Sequence, residues 1–232
     1  VSTVTEFQKD LANVTNERVR VTFQALLQFQ TKLVLGRVTG AKAAVEGIKK
    51  DFASLERHFN ADNIMLSVCR FELGRFLLEA GDPAGCDALW ARVLADVRNT
   101  VGLAHPKALP LLTGMVVRYK QIGQPQKARE LLAEFETANV KRFGPANPWL
   151  ATVLLERIEL ELEDKRPAAA RPFAERLLAL VRNEQNPPSR SGVLALIEFA
   201  PELAKVPELG PAGPALLAAA RQLVDRTRGT DS

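Results

Sequence analysis

An all-helical fold built from repeated helix hairpins is what this sequence predicts, and three observations predict it. Apolar residues recur at helical spacing, as in Leu73, Phe76, Leu77 and Ala80 or Leu89, Val93, Leu94 and Val97, and no extended stretch alternates with period two. The helical pattern breaks at Gly81, Gly123 and Lys165, at intervals of 42 residues. Two residues after each break stands a proline, Pro83, Pro125 or Pro167, suited to the first turn of a helix, where its missing N–H would be unbonded anyway.

The longer connections keep the same period. Ala104-His105-Pro106 and Ala146-Asn147-Pro148 each offer a polar capping residue and a proline to open a helix, and Phe59-Asn60-Ala61-Asp62-Asn63 occupies the same register without the proline. Small residues recur in the second helix at Cys86, Ala128 and Ala170, with larger apolar groups three residues on at Leu89, Leu131 and Phe173. Small side chains let paired helices approach, and large ones fill the groove between them. One period before Cys86 stands Ala44, so Thr39-Gly40 is the turn of an earlier hairpin, with helices over Glu17 to Leu35 and Ala41 to Phe59. Toward the C-terminus, Asn186-Pro187 opens a last hairpin whose second helix starts between Pro207 and Pro214, a stretched and irregular turn suited to a terminal repeat. The expectation is one helical repeat domain over 1–232, with a degenerate hairpin over 1–59, three clear repeats over 60–185 and an irregular cap over 186–232.

Composition agrees with a folded chain and removes several function classes. A hydrophobic share of 47% with 25% charged residues is that of a globular protein rather than a disordered one. No run approaches the roughly 20 apolar residues of a spanning helix, and Val1 to Asp10 lack the order of a secretory signal. The first residue is Val1, so a processed product or an excised domain is expected, and the cytoplasm is the expected location. Cys69 and Cys86 sit in apolar helical patterns and are expected to behave as small hydrophobes, not as a bridge. The net charge of +4 comes from interleaved signs, as in Lys127, Arg129 and Glu130, which describes a solvated surface and not a nucleic-acid stripe.

These residues resemble the tetratricopeptide repeat family, in its longer class found in kinesin light chains and many bacterial proteins. The resemblance rests on the turn glycines Gly81 and Gly123, on the small residues Cys86, Ala128 and Ala170 five positions after each turn, and on Gly102-Leu103-Ala104-His105-Pro106 and Gly144-Pro145-Ala146-Asn147-Pro148, which approximate the Gly-Pro-x-His-Pro opening of that class. It covers about residues 59 to 184 well. Lys165 departs from the turn glycine, and the small residue of the first helix appears as Gly74 but then as Val116 and Ile158. The period alone would also suit HEAT or armadillo units, whereas the caps and the two helices per unit favour the tetratricopeptide form. The resemblance implies a right-handed solenoid of about five antiparallel hairpins, bacterial and cytoplasmic, binding protein or peptide in a concave groove.

A search for chemistry returns little. No Cys-x-x-Cys, His-Glu-x-x-His or phosphate-loop sequence occurs, and His58 and His105 both fall at repeat junctions, where a capping role suffices for His105. The acidic run Glu156, Glu159, Glu161, Glu163 and Asp164 reads as residues scattered around a solvated helix. Trp90, Trp149 and Tyr119 read as packing residues. Lys141-Arg142 and the Arg118, Lys120 pair lack the aromatic interleaving of a nucleic-acid site. No enzyme activity, cofactor, metal or nucleic-acid partner is therefore expected.

What remains is a surface. The resemblance places Phe71, Arg75 and Leu78, then Thr113, Val117 and Lys120, then Leu155, Glu159 and Leu162 on the inner wall formed by successive first helices, and helical spacing puts each trio on one face. The lysine and asparagine pair with which some family members hold a peptide's terminal carboxylate is not found at these positions. The expected function is a protein- or peptide-binding scaffold. The alternatives are a regulatory or sensing segment of a larger signalling enzyme such as a bacterial protein kinase, self-association through the same apolar residues, and, least favoured, a helical enzyme with an unrecognised site.

Overall fold

Several of the described helix boundaries can be traced to local hydrogen bonds. The computed structural model describes residues 16–60, 63–183 and 190–229, and among these there are ten α-helices, one 3-10 turn and no strand. They form two compact units, 1–101 and 102–232, each considered by itself. The proposed opening of the last hairpin at Asn186-Pro187 lies outside the described residues.

Unit 1 holds two antiparallel hairpins, α1 (Glu17–Thr39) with α2 (Ala41–Glu56), and α3 (Ile64–Glu79) with α4 (Pro83–Asn99). Asn16 and Asn63 start the first helix of each, their side-chain oxygens accepting from the N–H groups of Val19 at 3.2 Å and Met65 at 2.9 Å. The helix after Gly40 ends at Glu56, three residues before the expected Phe59, and α1 runs four residues past the expected Leu35. Phe29, Leu33, Ile48, Phe52, Leu55, Leu66 and Phe76 make the core. Among them Arg70 is only 2% exposed, with Nη2 2.8 Å from Glu56 Oε1 and Nη1 paired to Asp96, so α2, α3 and α4 share one buried guanidinium whose donors are satisfied. Cys69 and Cys86 are buried free thiols, and burial, with Glu72 nearby, pushes the Cys69 thiol up to about 12.

Unit 2 holds three hairpins: α5 (Ala108–Gln121) with α6 (Pro125–Phe143), α7 (Leu150–Glu163) with α8 (Pro167–Val181), and α9 (Arg190–Leu203) with α10 (Ala212–Gly229), the last joined through the 3-10 turn Pro207–Leu209. The core runs through Leu150, Leu154, Ile158, Ala174, Leu177, Leu196, Ala200 and Leu216. Here one buried carboxylate joins three helices: Glu136 of α6 receives Arg157 of α7 and Arg176 of α8, and the Arg157 guanidinium also lies 4.1 Å from the centre of the Phe173 ring.

The expected turns are all present. Gly81, Gly123 and Lys165 adopt φ of +86°, +69° and +56°. Each donates its N–H to the carbonyl three residues back, at 3.0, 3.1 and 3.0 Å, while the next residue donates five back at 2.8 Å in all three cases. That double bond pattern is the Schellman ending, which requires a left-handed residue. Lys165 therefore holds a glycine's conformation with a side chain attached. Cys86, Ala128 and Ala170 are wholly buried, as the small-residue register predicts. The prolines at 106 and 148 differ from expectation. They lie in the turn before the helix, because Ala108 and Leu150 first bond back to the carbonyls of His105 and Asn147, and α5 and α7 begin only there.

The period also carries a size exchange. A Cβ on Gly74 would sit 2.4 Å from Trp90 Nε1, so the indole fills the volume that the glycine leaves. One period later the same two positions are Val116 and Leu132, and one further they are Ile158 and Ala174, all buried. As the first-helix residue grows, the second-helix residue shrinks, which conserves volume.

Candidate partner-binding face

Position along the first helix of each hairpin decides which of the expected groove residues can meet a partner. Phe71 and Leu155 are only 5% and 2% exposed, and both move from groove to core. Phe71 stacks on Trp90 of its own hairpin, with ring centroids 4.7 Å apart, and its carbonyl accepts the indole N–H at 3.1 Å. Leu155 belongs to the unit 2 core. Thr113, at the same register, is half-buried and its hydroxyl donates to the Pro110 carbonyl at 3.2 Å. Leu78 and Leu162 are half-buried, Arg75 is exposed, and Val117 keeps 43% of its surface in solvent. The open side thus keeps Arg75 and Glu159 of the expected face, while Phe71, Leu78, Leu155 and Leu162 give way to the residue after each. It carries Glu72, Arg75 and Glu79 on α3, and Glu156, Glu159 and Glu163 on α7, each trio spaced i, i+3, i+7.

Both units place a cation from the preceding first helix between these carboxylates. In unit 1, Arg37 of α1 reaches Glu72 at 3.3 Å and Glu79 at 3.0 Å, and Arg75 reaches Glu72 at 3.4 Å. In unit 2, Lys120 of α5 lies 3.6 Å from Glu159 and 2.9 Å from Glu163. One ammonium cannot satisfy three carboxylates. Glu156 Oε2 is buried and has no hydrogen-bond partner among the described residues. Burial, reinforced by Glu159, pushes the Glu156 carboxyl up to about 7, against the opposing pull of Lys120. Glu159 is raised too, by burial first, with Glu163 and Glu198 of α9 adding to the effect while Lys120 opposes it.

The acidic run of α7 is spread around the helix as expected, but it is not uniformly solvated, since Glu161 and one oxygen of Glu156 are buried. Glu156, Glu159 and Glu163 form the surface just described, whereas Glu161 and Asp164 turn toward α6, where Arg129 binds Glu161 at 2.9 Å and also pairs with Asp164. The i, i+3, i+7 spacing was the available signal for Glu156. The junction histidine His105 accepts the Lys107 N–H on Nδ1 at 3.2 Å within the turn before α5, whose start at Ala108 has no side-chain cap, so the expected capping role is not filled. Among the described residues no group of three or more histidine, cysteine, aspartate or glutamate side chains is arranged to hold a metal ion. No described helix is long and apolar enough to cross a membrane.

No family model and no curated protein matches the chain. Solved structures do. BtubC (BKLC) from P. vanneervenii is similar over 98% of this chain and 89% of that one, with a TM-score of 0.65 at 15% identity. The nearly identical TPR-like repeats of a candidate kinesin light chain from Podosopora anserina align with 86% of this chain and 96% of theirs, with a TM-score of 0.58 at 19% identity. A single-substitution variant of those repeats gives 0.59 at 18% identity, over 87% and 96% of the two chains. At such identities the likeness speaks for architecture alone: the chain has the all-helical, TPR-like repeat fold.

Proposed function

We propose that this chain is a protein- or peptide-binding scaffold, and that in unit 2 the side formed by α5 and α7 receives a cationic side chain of the partner. The observation that carries the reading is the imbalance on α7: Glu159 and Glu163 already share Lys120, whose charge also acts on Glu156, and Glu156 has an oxygen with no donor. A partner arginine or lysine would add the positive charge that these carboxylates lack, and the exposed Val117 one turn before Lys120 offers an apolar contact beside it. Charge-assisted hydrogen bonds to a partly desolvated carboxylate are among the stronger polar contacts, while the exposed pairs around it serve orientation. Because Glu156 must ionise to hold a cation, affinity should rise as pH passes through about 7 and level off above it.

The test is a random peptide display selection against the immobilised chain. Recovered sequences should be enriched in arginine or lysine next to apolar residues, and Glu159→Lys should weaken them by about tenfold or more, a loss of about 1.4 kcal/mol. A pool with no enrichment in basic peptides, or basic peptides indifferent to Glu159→Lys, would contradict the reading.

A further inference from the structure

Helix α9 is apolar on two sides. One side, Leu196, Ala200 and Leu203, is buried in the unit 2 core. The other carries Leu194, which is 59% exposed, then Ile197 and Pro201, with Ala204 just past the helix end, at spacings of three, four and three residues. That is the spacing of a seam which pairs with another helix, and it extends for about 15 Å at 1.5 Å per residue. Leu217 and Ala220 of α10 form the opposite wall, and between the walls lies an open groove of about 480 Å³. Its charged lining residues are Lys205 and Arg221, both cationic. Lys205 also meets Glu202 at 2.7 Å, but both side chains are largely exposed and such a pair contributes only about 0–1 kcal/mol, so it yields readily to a competitor. Glu198, next to Ile197, is directed to the other face, where its charge reaches Glu159.

We propose that the α9–α10 groove is a second docking surface of unit 2, and that its occupant is an amphipathic helix with apolar residues at i, i+3 and i+7 flanked by acidic side chains. The apolar seam sets the helical form of the occupant and the two cationic lips set its charge. A second copy of this chain fits less well. The exposed apolar residues of α1, Phe23, Val34 and Val38, stand on a helix whose one carboxylate is Glu17, so that helix does not supply the acidic flank that Lys205 and Arg221 would meet.

The experiment uses the full chain and two fluorescein-labelled designed helices. Both carry leucine at i, i+3, i+7 and i+10, one flanked by glutamates and the other by lysines. Fluorescence anisotropy should give saturable binding of the glutamate helix, at least about tenfold tighter than the lysine helix. Arg221→Glu, at an exposed position, should narrow or reverse that preference, and Ile197→Glu should remove binding with the circular dichroism spectrum unchanged. Glu159→Lys should leave the affinity unmoved, so this groove and the α5–α7 face are read separately. Equal affinity for both helices, indifference to Arg221→Glu, or loss of binding in Glu159→Lys would overturn the assignment. So would a dimer in analytical ultracentrifugation that Ile197→Glu dissociates, since that would give the groove to a second copy.

Discussion

Exchanging the residue pair at 74 and 90 for the pair one period later gives a sharp prediction about the hairpin core. In Gly74→Val the new Cβ would stand 2.4 Å from Trp90 Nε1 and 2.6 Å from its Cδ1, far inside the about 3.5–4.0 Å of a favourable contact. The indole cannot simply swing away, because its N–H bonds the Phe71 carbonyl at 3.1 Å and its ring stacks on Phe71. Overpacking of this kind costs about 1–3 kcal/mol. Trp90→Leu empties part of the same site and loses the stack, for about 2–4 kcal/mol. The double variant Gly74→Val/Trp90→Leu recreates the pair found at Val116 and Leu132, both fully buried, and should recover about 1–3 kcal/mol relative to the sum of the single changes. Urea unfolding followed by circular dichroism measures all four proteins. Simple additivity, or a double variant less stable than both singles, would refute the claim that the repeats exchange volume between these positions.

Two further predictions concern charge and backbone. Glu156 titrates at about 7 in the folded chain against 4.5 as its ordinary value, so the folded state holds a proton that the unfolded state has already lost between those two pH values. Its contribution to stability is full below about pH 4.5 and is lost as pH rises through 7, which leaves an ionised penalty of about 3 kcal/mol at pH 8. Glu156→Gln should accordingly raise the melting temperature at pH 8 and change it little at pH 4, and the same gain at both would exclude this linkage. Lys165→Gly should stabilise unit 2 by about 0.5–1 kcal/mol, because a left-handed φ of +56° suits glycine and not lysine. An unchanged or lowered unfolding midpoint would mean that the turn carries no strain.

The turns were legible in the sequence because they are local. A glycine or its substitute followed two residues later by proline states a Schellman ending and a new helix within a few residues, and Gly81, Gly123 and Lys165 make the same two hydrogen bonds. Sequence alone puts the helix starts near Pro106 and Pro148 two residues early, since a proline can occupy the turn before a helix as well as its first position. Phe71, Leu78, Leu155 and Leu162 each lie one residue before the open side, for a different reason. Spacing shows which residues share a face, but not which way that face points, and Phe71 turns inward because Trp90 nineteen residues away supplies a stacking partner and a donor. The exchange between 74 and 90, 116 and 132, and 158 and 174 was available in the sequence as a swap of large for small. The shared face of Glu156, Glu159 and Glu163 was also legible, whereas the burial that raises Glu156 depends on the packing of α7 between its neighbours and has no local signal.

The central claim, that α5 and α7 of unit 2 present the partner-binding surface, is tested most directly by hydrogen exchange on the full chain with and without a selected peptide. The account predicts new protection of backbone amides in Ala108–Gln121 and Leu150–Glu163, strongest around Lys120 and Glu159, and loss of that protection in Glu159→Lys. Protection confined to α6 and α8, or to unit 1 alone, would contradict it.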